Sequence, residues 1–228
     1  MGAGWKLYMF LQDNYRDQHG FAAFLGSNFF VVNMKGNAVA GQSQIVVLET
    51  RNMVREYPII GELTNELMLI AKPEDRYAPP LASYVLPTTP YRDVEASLHA
   101  LPGLTLPAGG DTTIAISAQL SGCSLCYRPA TRGVPDVKII HIQPTGLRAA
   151  PPVGEKDSVK LQNILQERHA CFAGDLNRPT KVYGGKQTGD SRANIILLRR
   201  DGKWTLFAQL YAPASNTVAG VDVVPLYE

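Results

Sequence analysis

Cysteine is scarce in this chain: 228 residues hold three, an odd number and too low for a disulfide scaffold. Charge of one sign is also lacking. Lys and Arg total 22 against 20 Asp and Glu, a net charge of +2, which gives no electrostatic footprint for nucleic acid or a membrane surface. Charged residues make up 18% and apolar ones 45%, which excludes an intrinsically disordered chain. No long hydrophobic run occurs. The nearest stretch, FAAFLGSNFFVVNM, is interrupted by Gly26, Ser27 and Asn28, too short and too polar for a membrane span. The opening residues, MGAGWKLYMFLQDNYRDQHG, lack the apolar run and small-residue site of a secretory signal peptide, and Lys6 replaces the Ser or Thr that myristoylation at Gly2 prefers. Export, if it occurs, needs a different signal.

Glycine and proline are plentiful, at 20 and 16, which suits strands and loops better than a helical bundle. Phe29 to Met34 and Gln44 to Glu49 are β-branched or aromatic runs that read as strands. Gly61 to Lys72 fits either a helix or a strand. A proline-rich connection follows from Pro73 to Gly110, with one short helix expected at Asp93 to Leu101, carrying His99. Asp111 to Leu120 alternates, with Ile114, Ile116, Ala118 and Leu120 on one side and Thr113, Ala115, Ser117 and Gln119 on the other. Val137 to Gln143 is apolar on both faces apart from Lys138, His141 and Gln143, as a central strand is. A helix is expected over Asp157 to Phe172, capped at Asp157 or Ser158 and stopped by Gly174. Asp201-Gly202 between two strand-like runs predicts a hairpin, with Trp204 as a core anchor and Arg199-Arg200 on a solvated edge. The sum is a β-rich α/β (α+β) fold in a single domain over residues 1–228.

The segment AQLSGCSLCYRPATRGVPDVKIIHIQP, Ala118 to Pro144, holds the most chemistry. A strand ends at Leu120, Ser121-Gly122 make a turn, and Cys123 sits where the chain leaves the sheet. His141 follows eighteen positions later on the next strong strand. If the two strands are neighbours, the loop between them sets Cys123 Sγ beside the imidazole, which would lower the thiol pKa and shuttle the proton of a cysteine nucleophile. Gly122, lacking Cβ, lets substrate approach and leaves backbone N–H groups near Ser121 and Gly122 to hold an oxyanion.

Leu120-Ser121-Gly122-Cys123, followed by a histidine on a later strand, resembles the LSGC motif of bacterial toxin glutamine deamidases. These are the catalytic domain of cytotoxic necrotizing factors and the Burkholderia lethal factor, and more distantly the chemotaxis-receptor deamidase. The resemblance covers about 30 of the 228 residues. It implies a β-sandwich-like pair of central sheets surrounded by helices and long loops. It also implies hydrolysis of a glutamine side-chain amide in a host protein by a secreted or injected effector acting in the host cytosol. By analogy, the substrate would be a Rho-family GTPase or a translation-initiation helicase, and no metal or organic cofactor is needed. Cys123 matches the nucleophile and His141 the general base. The third element in the family is a threonine six residues before the cysteine, or a backbone carbonyl; here Ser117 stands at that offset. Loops such as Pro73 to Pro90 and Tyr183 to Arg192 would border the cleft and select the partner.

The same residues admit other uses. Cys123-x-x-Cys126 has a metal-knuckle spacing, and His141 with His169 or Cys171 would complete a zinc site in a non-enzymatic binding domain. A redox dithiol wants its CxxC opening a helix, and Tyr127-Arg128-Pro129 continues poorly as one. A cysteine protease or a transglutaminase would use the same Cys–His pair on a peptide bond, or with an amine in place of water. His19, His99 and His169 have no partner at a telling spacing and read as surface or capping residues.

Overall fold

A computed structural model describes residues 3–12, 17–34, 44–57, 60–69, 81–86, 88–91, 104–145, 157–167, 181–184, 192–212 and 217–228. The expected helix at Asp93 to Leu101 with His99, and also His169 and Cys171, lie outside these residues, as do 73–80 and 185–191 of the two loops expected to border a cleft; of the first, Leu81–Leu86 and Thr88–Pro90 are strand rather than loop. The fold is mixed α/β and mostly sheet. Three helices are described: α1 (Ala3–Leu11), α2 (Gln18–Ser27) and α3 (Asp157–Glu167). None is long and apolar enough to cross a membrane.

Among the described residues, thirteen strands form two sheets. They are β1 (Phe30–Met34), β2 (Gln44–Tyr57), β3 (Ile60–Leu69), β4 (Leu81–Leu86), β5 (Thr88–Pro90), β6 (Leu104–Leu106), β7 (Ile114–Leu120), β8 (Ser124–Arg128), β9 (Val137–Gln143), β10 (Lys181–Gly184), β11 (Arg192–Arg200), β12 (Lys203–Ala212) and β13 (Thr217–Pro225). The large sheet has eight strands in the order β1-β3-β2-β4-β7-β11-β12-β13. The small sheet has five, β10-β8-β9-β5, with β6 also paired to β9. Within the ambiguous stretch Gly61 to Lys72 the described residues, up to Leu69, are strand, β3, zipped against β2. Val137 to Gln143 is a central strand, as its apolar faces require: β8 borders it on one side, β5 and β6 on the other.

Three apolar clusters show how the layers meet. Between the sheets, Leu86, Ala115, Ile195, Leu197, Trp204 and Leu206 of the large sheet share a core with Leu104, Leu106, Leu125, Tyr127, Val137 and Ile139 of the small one. On the outer face of the large sheet, Ile114, Ile116, Ile196, Leu198 and Phe207 pack against Leu7 and Leu11 of α1 and Phe21 and Leu25 of α2. On the outer face of the small sheet, Cys126, Ile140 and Ile142 pack against Leu161 and Leu165 of α3. Strands covered on both faces need apolar runs, which is why Ile195–Leu198 reads as it does within β11, buried from Ala193 to Arg200. The N-terminal helices were not visible as such in the sequence. Their carbonyl ends are satisfied by side chains of distant strands: Gln209 Nε2 donates to Leu25 and Asn28 at 2.6 and 2.7 Å, and Arg200 Nη2 donates to Phe10 and Gln12 at 2.8 and 3.1 Å.

Two expectations change. Arg199 and Arg200 are buried rather than on a solvated edge. Arg199 holds the loop after β6 by donating to the carbonyls of Pro107, Gly109 and Gly110, and its guanidinium lies over the Trp204 ring. Buried guanidinium groups survive because carbonyls satisfy their N–H groups. The alternation expected along β7 also fails, for a reason given below. The hairpin stands as expected: β11 and β12 pair from Arg192↔Tyr211 to Arg200↔Lys203 around Asp201-Gly202. Both turn residues have positive φ, 50° and 75°, as the tight turn matching strand twist demands.

Replacing Gly202 with Ala puts a Cβ into that left-handed conformation, with nothing closer than ordinary contact to Ala108 O. Gly202→Ala should cost about 1–2 kcal/mol from backbone strain alone. Urea unfolding should show this as a lower midpoint with an unchanged slope.

Candidate functional site

Ser117 lies on β7, in the middle of the large sheet, beside Leu86 of β4 and Ile195 of β11. The β7–β11 ladder pairs Ile195 with Ser117 but Ala193 with Leu120, so two residues of β7 oppose the single Asn194. This β-bulge corrects the expected alternation. Leu120 joins Ala115 in the core between the sheets, whereas Ile114 and Ile116 face the helices. Ser117 and Gln119 also part company: Ser117 is fully buried, whereas Gln119 is half-exposed and accepts a hydrogen bond from Arg192.

From Leu120 the chain passes directly into the small sheet. Gly122 makes the bend with φ 113°, a conformation that favours glycine. Cys123 follows, then β8, which forms a hairpin with β9. The strands carrying Ser117 and His141 are thus not neighbours in one sheet, as the simplest sequence reading required. They lie in different sheets that face each other. His141 is 1% exposed and its Nδ1 is 2.6 Å from Ser117 Oγ, a hydrogen bond that spans the gap between the two layers. A second passage flanks the same pair: Leu86 ends β4 beside Ser117, and Thr88 begins β5 beside His141.

Cys123 reaches this site by register. Leu125 is paired with His141, and Cys123 stands two positions before Leu125, so Cys123 and His141 are diagonal neighbours on the inner face of the small sheet. Such diagonal pairs sit about 7–8 Å apart at the backbone, within reach of longer side chains. Both side chains belong to the space between the sheets, where Cys123 is 6% exposed. Cys126 does not share it. It packs with Ile140, Ile142 and α3 on the opposite face of β8, so Cys123 and Cys126 are not arranged to clasp one ion. Among the described residues no cluster of three potential metal ligands occurs. His19 is exposed on α2, away from these groups.

The electrostatics differ from a thiolate–imidazolium pair. Burial holds the His141 pKa down at about 4. Burial also raises the Cys123 thiol above its usual value, with a backbone hydrogen bond from Ser121 pulling the other way. Both groups are neutral near pH 7, which corrects the expectation of a pre-formed ion pair. His141 Nε2 is buried with no hydrogen-bond partner among the described residues. An unpaired buried polar nitrogen costs about 1–3 kcal/mol, an expense without structural return. A small pocket of about 10 Å³ lies elsewhere, on the helix-covered face of the large sheet between Phe10, Phe21, Leu198 and Arg200.

The depressed His141 pKa has a sign that stability measurements can read. Above pH 6.5 the imidazole is neutral in both folded and unfolded chains; below it the unfolded chain takes up a proton that the folded one refuses. Stability should therefore fall between about pH 6.5 and 4, by roughly 3 kcal/mol, and His141→Gln should flatten that part of the curve in urea titrations. For Cys123, iodoacetamide labelling followed by peptide mass analysis should be slow at pH 7 and still accelerating above pH 9.

Compared with known proteins, the chain matches no family model and no curated protein, so its chemistry is read from these residues themselves.

Proposed function

We propose that this chain is a protein-glutamine deamidase, a single catalytic domain that uses Cys123 as nucleophile and His141 as base. The observation that carries the reading is the Ser117–His141 bond across the sheets, which occupies Nδ1 and leaves Nε2 buried and unpartnered on the face that Cys123 shares. An imidazole oriented through one nitrogen, in the same inter-sheet layer as a thiol, has the makings of a nucleophile–base–orienter set once Cys123 Sγ closes on Nε2. The tautomer required is the one in which Nδ1–H donates to Ser117 Oγ and Nε2 keeps its lone pair. Two sheets sharing one core, with helices on their outer faces, further support the resemblance to the LSGC deamidases and their sandwich-like fold.

Because thiol and imidazole are both neutral at rest, the thiol proton moves to Nε2 as Cys123 Sγ attacks the carboxamide carbon of glutamine. The N–H groups of the Gly122 turn hold the oxyanion, and His141 returns the proton to the departing ammonia. Water then attacks the thioester, giving its proton to Nε2. Collapse frees glutamate and restores the Cys123 thiol. The reading carries with it a bacterial effector acting on a host protein in the host cytosol, with Rho-family GTPases and a translation-initiation helicase as candidates by analogy.

Incubation with a cytosolic extract of animal cells should release ammonia and add about 1 Da to one glutamine of a target protein, as exchange of NH2 for OH requires. Cys123→Ser should abolish both signals. Full activity in folded Cys123→Ser protein would overturn the proposal, while backbone cleavage or amine incorporation in place of the mass gain would make the enzyme a protease or a transglutaminase. Ser117→Ala should lower the rate about tenfold or more through loss of one orienting hydrogen bond, and Ser117→Thr should keep most of it.

A further inference from the structure

Beyond His141 on the inner face of β9 comes Gln143. The β8–β9 ladder runs from Arg128↔Lys138 to Ser124↔Ile142, and Cys123 and Gln143 are the next residues of the two segments beyond its last pair. Alternation puts Gln143 on the side of His141, while Ile140 and Ile142 face α3. Gln143 is half-buried. It stands where the site changes from the closed interior of Ser117 and His141 to the exposed Ser121 and half-exposed Gly122. A glutamine side chain entering from solvent meets this carboxamide and the thiol together.

We propose that Gln143 is a catalytic residue of the deamidation described above, and the inference rests on that reading. Its Nε2–H donates to the oxyanion that forms as Cys123 Sγ bonds to the substrate carbon and the carbonyl π electrons move onto oxygen. The same donor serves the second oxyanion, formed when water adds to the thioester. The other polar side chains of the site are already committed: Ser117 holds Nδ1, and His141 Nε2 carries the proton between sulfur, ammonia and water. A neutral donor suits the task. It strengthens as negative charge gathers on oxygen, and it does not trap the carboxylate product as a cation would.

The test uses the target protein identified by its 1 Da shift, with ammonia release measured over a range of target concentrations. Gln143→Glu keeps the shape and removes the donors; Gln143→Leu removes both donor and acceptor; Gln143→Met replaces either if its unfolding midpoint falls. The expected loss is about 10²- to 10³-fold in kcat with KM within twofold, the size seen when one oxyanion donor is removed. A tenfold or greater kcat loss in the folded variants upholds the proposal. A smaller loss, or one carried by KM alone, overturns it. Cys123→Ser is assayed alongside: if it is inactive while the Gln143 variants work normally, this inference falls and the deamidase reading stands. If Cys123→Ser is active, both fall.

Discussion

The hydrogen bond between Ser117 and His141 joins a strand at the centre of one sheet to a strand at the centre of the other, through a layer otherwise filled with Leu, Ile, Val and Trp side chains. A neutral buried hydrogen bond is worth only about 1 kcal/mol net, but leaving either partner unpaired costs about 1–3 kcal/mol. Its weight lies in that asymmetry. Sliding one sheet across the other by one residue would strand both groups in an apolar core. The pair therefore fixes how the sheets face each other, and in doing so it orients the imidazole. Stability and orientation come from one interaction.

The polypeptide passes from sheet to sheet twice around this bond. One passage runs from Leu86 beside Ser117 to Thr88 beside His141; the other runs through Ser121 and Gly122 to Cys123. The β-bulge before Leu120 and the positive φ of Gly122 make the second passage possible, one by resetting which face the strand presents, the other by bending the chain into β8. A cysteine placed just after such a bend has backbone amides gathered around its sulfur. Burial works against ionisation of both the thiol and the imidazole. Attack by this thiol thus has to be coupled to proton transfer, and a neutral His141 is a ready acceptor for that proton.

Much of the local structure was legible. The β9 run from Val137 to Gln143 has the apolar character of a strand covered on both faces, and the Asp-Gly turn after Arg200 carries its backbone conformation in its residue types. Other features depended on partners far away in sequence. Gly61 to Lys72 has no period of its own that decides between helix and strand; pairing with β2 decides it. Arg199 and Arg200 look like surface charges until Pro107, Gly109, Gly110 and the end of α1 supply carbonyls for them. The bulge in β7 leaves no mark in the residues concerned, because it arises from mismatch with β11.

For the site, a thiol after a glycine turn and a histidine on a later strand brought out Cys123 and His141, while Ser117 entered only through the resemblance to the LSGC motif. Sequence singled out Cys123 over Cys126 by its place after the Ser121-Gly122 turn, and it passed over Gln143 as an ordinary strand residue. Tertiary structure alone decided that Ser117 meets His141 between two sheets, that Cys123 and Cys126 face opposite ways, and that the thiol and imidazole are neutral. The physical reason is the same in each case. Facing, register and desolvation are set by contacts between segments distant along the chain, and no local pattern encodes them.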